Sequence, residues 1–462
     1  MGEGIRIGGG GGVRGVLKTY PTDFGVSRGD LCEIVDESFS ADTNETYSTN
    51  IANNSLVSVL LSHDRIFYAV NDYDDPSVKL FLNIQEYGKE DATPINTRIA
   101  AIPIAAYLVN SSTIHLYTLN STYKKVSVYS VDISGDSPIL GDVILQFSSS
   151  NSSYLYFTNH PRFSQICSLG DNKYILFSLM GSDSGFSYGK GIQCTPIYDD
   201  GLNIIMGTPL WQTTSIPIPD ALFGATKEKK QFSCCKSTDN SKSSAMLILV
   251  PNGTSTDENC TPTFLDFEFN NDELPTLTVT EIALSDTTTM ATDNSYANNT
   301  YLLGLPDGTY GLILIGSKGI QIAHYSILEN VATLIGNLTS ISTKSSGGSA
   351  AAVGQKVVMI TNNASASGSS NVSIDFRVYD MTNEPTSYKS DTLRLLRKTR
   401  LSDAYSIVNS ATTAYRASIY TASGILYMYK AKGLKTVEKS SNAFYANKAA
   451  LANTYGEFKV QE

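Results

Sequence analysis

Four histidines, six cysteines and scattered carboxylates are the residues of this chain with chemistry to offer. Their spacing decides which chemistry is open to them. Cys32, Cys167, Cys194, Cys234, Cys235 and Cys260 include no Cys-x-x-Cys pair. Cys234 and Cys235 are adjacent, which is poor chelate geometry, so the thiols read as buried and free and no zinc site is expected. "NDYDD" (Asn71–Asp75) gathers oxygen atoms but lacks the regular ligand spacing of a calcium loop, and it reads as a solvated loop. His63 and Asp64 stand in a turn with no nucleophile elbow beside them. The glycines Gly8–Gly12 are followed by no Gly-Lys-Ser/Thr and are not a phosphate loop. No catalytic residue, cofactor or metal ligand is therefore assigned. A carboxylate pair for glycoside hydrolysis stays open, because the separation of such a pair is spatial and not sequential.

Tyrosine is the more suggestive residue. There are 27, and those in "NDYDD", "GFSYG", "NSYANN" and "PTSYKS" fall in polar stretches where a core role is not expected. Tyr with Ser, Gly and Asn builds adaptable, amphipathic binding surfaces. Tyr73, Tyr188, Tyr296 and Tyr388 are accordingly read as ligand-face residues.

The elements that must position them follow from composition and periodicity. Only 17% of the 462 residues are charged, and the net charge of −10 includes no basic block, so no nucleic-acid footprint is present. Abundant Ser, Thr, Asn and Gly suit short strands and polar turns. In such a chain Asn-x-Ser/Thr triplets, from Asn44 to Asn371, arise by chance. No apolar run is long enough to span a bilayer, and the first residues lack a signal-peptide core. Arg6 stands where a myristoylation signal wants Ser or Thr. The expectation is synthesis in, and release from, a cytoplasm.

A phrase recurs: a weakly apolar strand, a polar turn, a continuous apolar strand, a loop, an alternating strand and a last strand. The continuous strands are "RIFYAV" (Arg65–Val70), "TIHLYT" (Thr113–Thr118), "KYILFSLM" (Lys173–Met180), "AMLILV" (Ala245–Val250), "YGLILI" (Tyr310–Ile315), "KVVMIT" (Lys356–Thr361) and "GILYMY" (Gly424–Tyr429). Their spacing is about 60 residues. A strand apolar on both faces beside strands apolar on one face is what a propeller blade requires. Six markers are followed by enough chain to finish a blade and the seventh is not. "DLCEIVDES" (Asp30–Ser38) has no hairpin partner before it. The expected architecture is all-β: a seven-bladed propeller over residues 30–440, its last blade closed by Asp30–Ser38 as outer strand, with six or eight blades, or a pair of β-sandwiches, as the alternatives. The single tryptophan, Trp211, means that the Trp-ended aspartate boxes of sialidase propellers are absent.

Two segments flank this ring. Residues 1–29 carry "GIRI" and the glycine run, and are expected to be an attachment arm through Ile5, Arg6, Ile7, Gly8, Gly9, Gly10, Gly11 and Gly12. Residues 441–462 are expected to hold a short C-terminal helix with Phe444, Leu451 and Tyr455 as a contact stripe.

"GIRIGGGGGV" (Gly4–Val13), "GDLCEIV" (Gly29–Val35), the seven strands and "FSYGKGIQC" (Phe186–Cys194) together resemble virion proteins of phages and prophages of Gram-positive hosts. That resemblance implies a non-enzymatic tail-fibre or baseplate-associated receptor-binding propeller, attached to the particle by its N-terminal arm. It implies multiple copies, a homotrimer among the arrangements, exposed on the virion. Other virion proteins, and a host surface glycan or protein, would be its partners, with no nucleic acid and no membrane insertion. A capsid-surface or head-fibre decoration protein is the alternative, and a polysaccharide-degrading propeller enzyme a further one.

Overall fold

The computed structural model describes residues 16–22, 31–33, 36–39, 54–62, 65–72, 79–86, 95–150, 156–157, 164–181, 191–211, 232–250, 259–286, 288–291, 299–316, 319–342, 348–353, 355–362, 373–394, 429–432, 435–436, 444–446 and 454–460. Every regular element among them is a strand. The chain divides into one unit of residues 43–426 and another of residues 1–42 with 427–462.

The larger unit is propeller-like. Six successive antiparallel blades are described, each led by a four-strand meander. The second blade is typical, with strands Ile102–Asn110, Thr113–Leu119, Lys125–Asp132 and Ile139–Ser148 in that spatial order. The first six apolar markers are all second strands: Arg65–Asp72, Thr113–Leu119, Lys173–Gly181, Ser244–Leu249, Tyr310–Gly316 and Lys356–Asn362. The turns before them use local chemistry. At "GDN" the backbone of Gly170, Asp171 and Asn172 is left-handed, a conformation that Gly, Asp and Asn tolerate best. At "PDG" the carboxylate of Asp307 accepts from the Thr309 amide at 3.1 Å, while the Leu305 amide donates to the Thr309 carbonyl at 2.9 Å.

Alternation along each second strand feeds two separate apolar layers. Ile114 and Leu116 pack toward the first blade, Tyr117 and Leu119 toward the third. Tyr174 and Leu176 join that same layer, while Ile175 and Phe177 face the fourth blade. Leu247 and Ile248 divide likewise, as do Leu312 and Ile313. Five apolar layers thus fill the five junctions between the six blades. Outer strands are wetter: Ile95–Ala100 is nearly all exposed or half-buried, and Ile139–Ser148 buries only Phe147.

The junctions also carry backbone contacts. The Gly207 amide donates to the Pro196 carbonyl at 2.9 Å, and a Cβ at Gly207 would lie 1.7 Å from the carbonyl oxygen of Pro275 in the fourth blade. Outer strands of the fourth and fifth blades meet through a short parallel pairing, Ala283 opposite Val331 and Leu284 opposite Ala332. This pairing makes one sheet of two blades.

Two expectations need correction. Asp30–Ser38 does not close a seventh blade as its outer strand. Leu31–Glu33 pairs with Lys435–Thr436 and Phe444–Ala446 in a five-stranded sheet, and Asp36–Phe39 pairs with Tyr429–Lys432. The chain ends pair with each other in a unit of their own. The seventh marker, Gly424–Tyr429, lies outside the described residues except for Tyr429, so the seven-bladed ring gives way to a propeller-like fold in which six blades are described. No C-terminal helix is found among the described residues either. Phe444–Ala446 and Thr454–Val460 are strands, the latter antiparallel to Val16–Thr22 from Val16 opposite Val460 to Thr22 opposite Thr454. A short helix cannot hold itself together in water, whereas seven ladder positions satisfy the backbone along the whole segment. Of the expected stripe, Phe444 and Tyr455 stand in strands and Leu451 is outside the described residues.

Gly207→Ala tests the closeness of the third and fourth blades. The added methyl must push on backbone, and the expected loss is about 1–3 kcal/mol, measured by urea unfolding of the purified chain. An unchanged midpoint would show that this junction has room to spare.

Candidate functional site

The four tyrosines expected on a ligand face divide sharply. Tyr73, Tyr188 and Tyr296 lie outside the described residues, as do Ile5 to Gly12 of the expected arm. Tyr388 is described, and it is exposed. It sits on the sixth blade's outer strand, Thr386–Arg394. Pairing passes from Val378 opposite Lys389 to Tyr379 opposite Ser387, leaving Tyr388 as the extra residue of a bulge. A bulge re-aims a side chain out of the ladder. Half of Tyr388 is open to solvent, flanked by exposed Thr386 and Ser387.

The Lys356 ammonium stands 5.1 Å from the centroid of the Tyr388 ring. Lys356 is paired across the ladder with Asp380. The Asp380 carboxyl is held below the ordinary carboxylate range, chiefly by the hydrogen bond with Thr382 and further by the Lys356 charge. At neutral pH the patch therefore presents an aromatic face, an ammonium and a carboxylate within one sheet surface. A second lysine-on-tyrosine pair, Lys124 at 4.7 Å from the Tyr156 ring, occurs at the junction of the second and third blades.

A polar cluster that sequence reasoning missed is buried between those same two blades. Asp199 ends a strand of the third blade and is wholly buried; His115 and Tyr107 come from the second. Both the His115 Nδ1 and the Tyr107 hydroxyl reach the same carboxylate oxygen, Asp199 Oδ2. The Gly201 amide donates to Oδ1 at 2.9 Å. A carboxylate only accepts, so His115 Nδ1–H and Tyr107 O–H are donors here. The Tyr107 oxygen then accepts from the Tyr117 hydroxyl 3.1 Å away. Tyr174 stacks on Tyr107 with ring centroids 3.8 Å apart. Burial pushes the Tyr107 and Tyr117 phenols well above their ordinary range, so both stay neutral donors. With no member open to solvent beyond a few per cent, the cluster clamps two blades and meets no substrate in this structure. A signal existed: His115 is an imidazole, with Tyr117 beside it, inside the apolar run "TIHLYT".

Asp266 is another buried carboxyl, in the fourth blade. Burial raises it above the ordinary range, and Lys242 Nζ, at 4.0 Å, offsets part of that rise. Among the described residues no group of three or more His, Cys, Asp or Glu side chains is placed to hold a metal ion. The segment Gly-Phe-Ser-Tyr-Gly around Tyr188 has the spacing of a hydrolase elbow. It falls outside the described residues, between the antiparallel strands Lys173–Gly181 and Gly191–Asp199, not between strand and helix as that elbow demands.

No family model matches the chain, and no curated protein matches it. Solved structures do. A fungal lectin of Aleuria aurantia, described as a six-bladed β-propeller, is 8% identical over 75% of this chain and 97% of its own, with a TM-score of 0.39. An α-L-arabinofuranosidase of Fusarium graminearum is 10% identical over 80% and 98%, with a TM-score of 0.37. A protein from Lactobacillus plantarum is 12% identical over 72% and 84%, at 0.40. Likeness of this degree assigns neither ligand nor reaction. Two of the three, a lectin and an arabinofuranosidase, are carbohydrate-directed proteins by title, and the expected kinship with tail-fibre, baseplate or other virion proteins finds no support in them. The virion reading, with its particle attachment and receptor-binding roles, is withdrawn.

The clamp yields a prediction. Asp199→Ala leaves His115 and the Tyr107 phenol buried without their acceptor, and should cost about 3–5 kcal/mol of stability. Thermal and urea unfolding measure it. A cost below 1 kcal/mol, a bound set by ordinary exposed ion pairs, would mean that the cluster is not the clamp described.

Proposed function

We propose that the chain is a carbohydrate-binding propeller that recognises its ligand without chemical turnover. The observation that carries this reading is Tyr388, lifted out of its ladder by a bulge and half exposed beside Lys356 and Asp380. A sugar ring is apolar on its C–H face and polar around its edge. A tyrosine face beside an ammonium and a carboxylate matches both parts, the ring taking the C–H face and the charged groups taking hydroxyls.

Binding to a panel of neutral and acidic oligosaccharides, measured by titration calorimetry, tests the reading. Tyr388→Ala should weaken the best ligand at least tenfold, about 1.4 kcal/mol, while Tyr388→Phe keeps most of the affinity. Neither change should move the unfolding midpoint much, since the side chain is exposed. Equal binding by wild type and Tyr388→Ala, or no binding to any sugar, would overturn the assignment. Release of free sugar from the ligand would replace binding with hydrolysis, and Asp266, a carboxyl that burial raises above its ordinary range, would be the first residue to replace.

A further inference from the structure

Three of the six cysteines meet at one place that the sugar-binding reading does not use. Cys167 lies on the inner strand of the third blade, Ser164–Gly170, and Cys234 on the inner strand of the fourth, Phe232–Lys236. These inner strands adjoin. Cys167 and Cys194 are buried in the apolar layer between the two blades, and Cys234 packs against that layer while remaining partly open. Gln165, two residues before Cys167 and on the same face of its strand, is bonded to Cys234, which places Cys234 against the face of the strand that carries Cys167. Cys194 lies on the strand Gly191–Asp199 of the third blade, and Cys235 lies against Gly304 on the fifth-blade side.

Gln165 holds the half-buried thiol in place. Its Oε1 accepts from the Cys234 amide at 3.2 Å and from Cys234 Sγ at 3.6 Å, while its Nε2 donates to the Phe232 carbonyl at 3.5 Å. One side chain of the third blade thereby fixes the backbone and the sulfur of the fourth. Cys167 is buried and Cys234 is partly open, so of the two a peroxide can reach only Cys234, which is the entry point.

We propose that Cys234 and Cys167 form an oxidisable thiol pair that closes to a disulfide between the inner strands of the third and fourth blades when a hydroperoxide reaches Cys234. The Cys234 thiolate attacks one peroxide oxygen, the O–O bond breaks, and with one proton taken up the products are the sulfenic acid and water. The Cys167 sulfur then displaces the sulfenic oxygen, forming the S–S bond, and the Cys167 proton leaves with hydroxide as a second water. Two thiols are oxidised by two electrons and one hydrogen peroxide is reduced to two waters. A disulfide needs Cβ atoms about 3.5–4.5 Å apart, and the link therefore fixes the spacing of the two strands. Linking residues so far apart in sequence would stiffen the junction that Gly207 and Pro275 also share.

The test uses the full chain, reduced and then exposed to hydrogen peroxide, with remaining thiols alkylated and the digest mapped by mass spectrometry. The expected result is a peptide pair joined through Cys167 and Cys234, two hydrogens lighter than the reduced pair and separated again by dithiothreitol. The same sample should unfold at a higher temperature than the reduced one. Cys194→Ser should leave the link intact and Cys234→Ser should abolish it. A link through Cys194, or Cys234 carried on to sulfinic acid with Cys167 still alkylatable, would overturn the assignment. So would both thiols surviving peroxide that oxidises a free thiol such as glutathione. None of these outcomes depends on sugar binding, which is read separately through Tyr388.

Discussion

Burial of one strand on both faces is the constraint on which the larger unit depends. From the second blade to the fifth, each second strand sends odd residues into one interblade layer and even residues into the next. The strand is therefore shared property of two junctions. Phe177 serves the third and fourth blades while Leu176, its neighbour, serves the second and third. Full burial of one such side chain stabilises by about 1.5–3 kcal/mol, and every described blade supplies several. Nothing comparable exists on the outer strands, whose alternation buries a single face. A blade lacking its neighbours would expose both faces of its second strand, so the blades stand or fall together.

Polar groups at the junctions set the register that apolar packing leaves loose. Asp199 gathers three donors, two of them from the adjoining blade, and one of its oxygens receives both. Between the fifth and sixth blades the His324 ring meets the Asn383 carbonyl and Gln355 donates to Asp307. Apolar layers tolerate sliding; a carboxylate with a fixed set of donors does not. Such groups carry a large penalty when one partner is lost, and for that reason they specify geometry more than they add stability.

The repeat was legible because its physics is local. A polar turn followed by six apolar residues identifies a doubly buried strand wherever it occurs, and all six markers within the described residues proved to be second strands. The ends were not legible. Phe444, Leu451 and Tyr455 share a helical face on paper, but the partner that makes Thr454–Val460 a strand is Val16–Thr22, more than four hundred residues away. Such pairing leaves no mark on either segment alone. Asp30–Ser38 was recognised as a strand needing a partner, and its partners came from the chain's other end, though not from a blade. At the candidate site the legible part was Tyr388, a tyrosine in a polar context. The clamp was hidden because Tyr107, His115 and Asp199 are spread over two blades. Kinship was the least legible of all, since turn-and-strand phrases are shared by any propeller-like chain.

Native-state amide hydrogen exchange tests the central claim most directly, because it reads each strand separately. Shared double burial predicts that the second strands, such as Lys173–Gly181 and Tyr310–Gly316, exchange only by global unfolding, with one common free energy across blades. Outer strands such as Ile139–Ser148 should exchange through local openings at lower cost. Second strands that open blade by blade with unequal free energies, or that exchange as readily as the outer ones, would contradict the account.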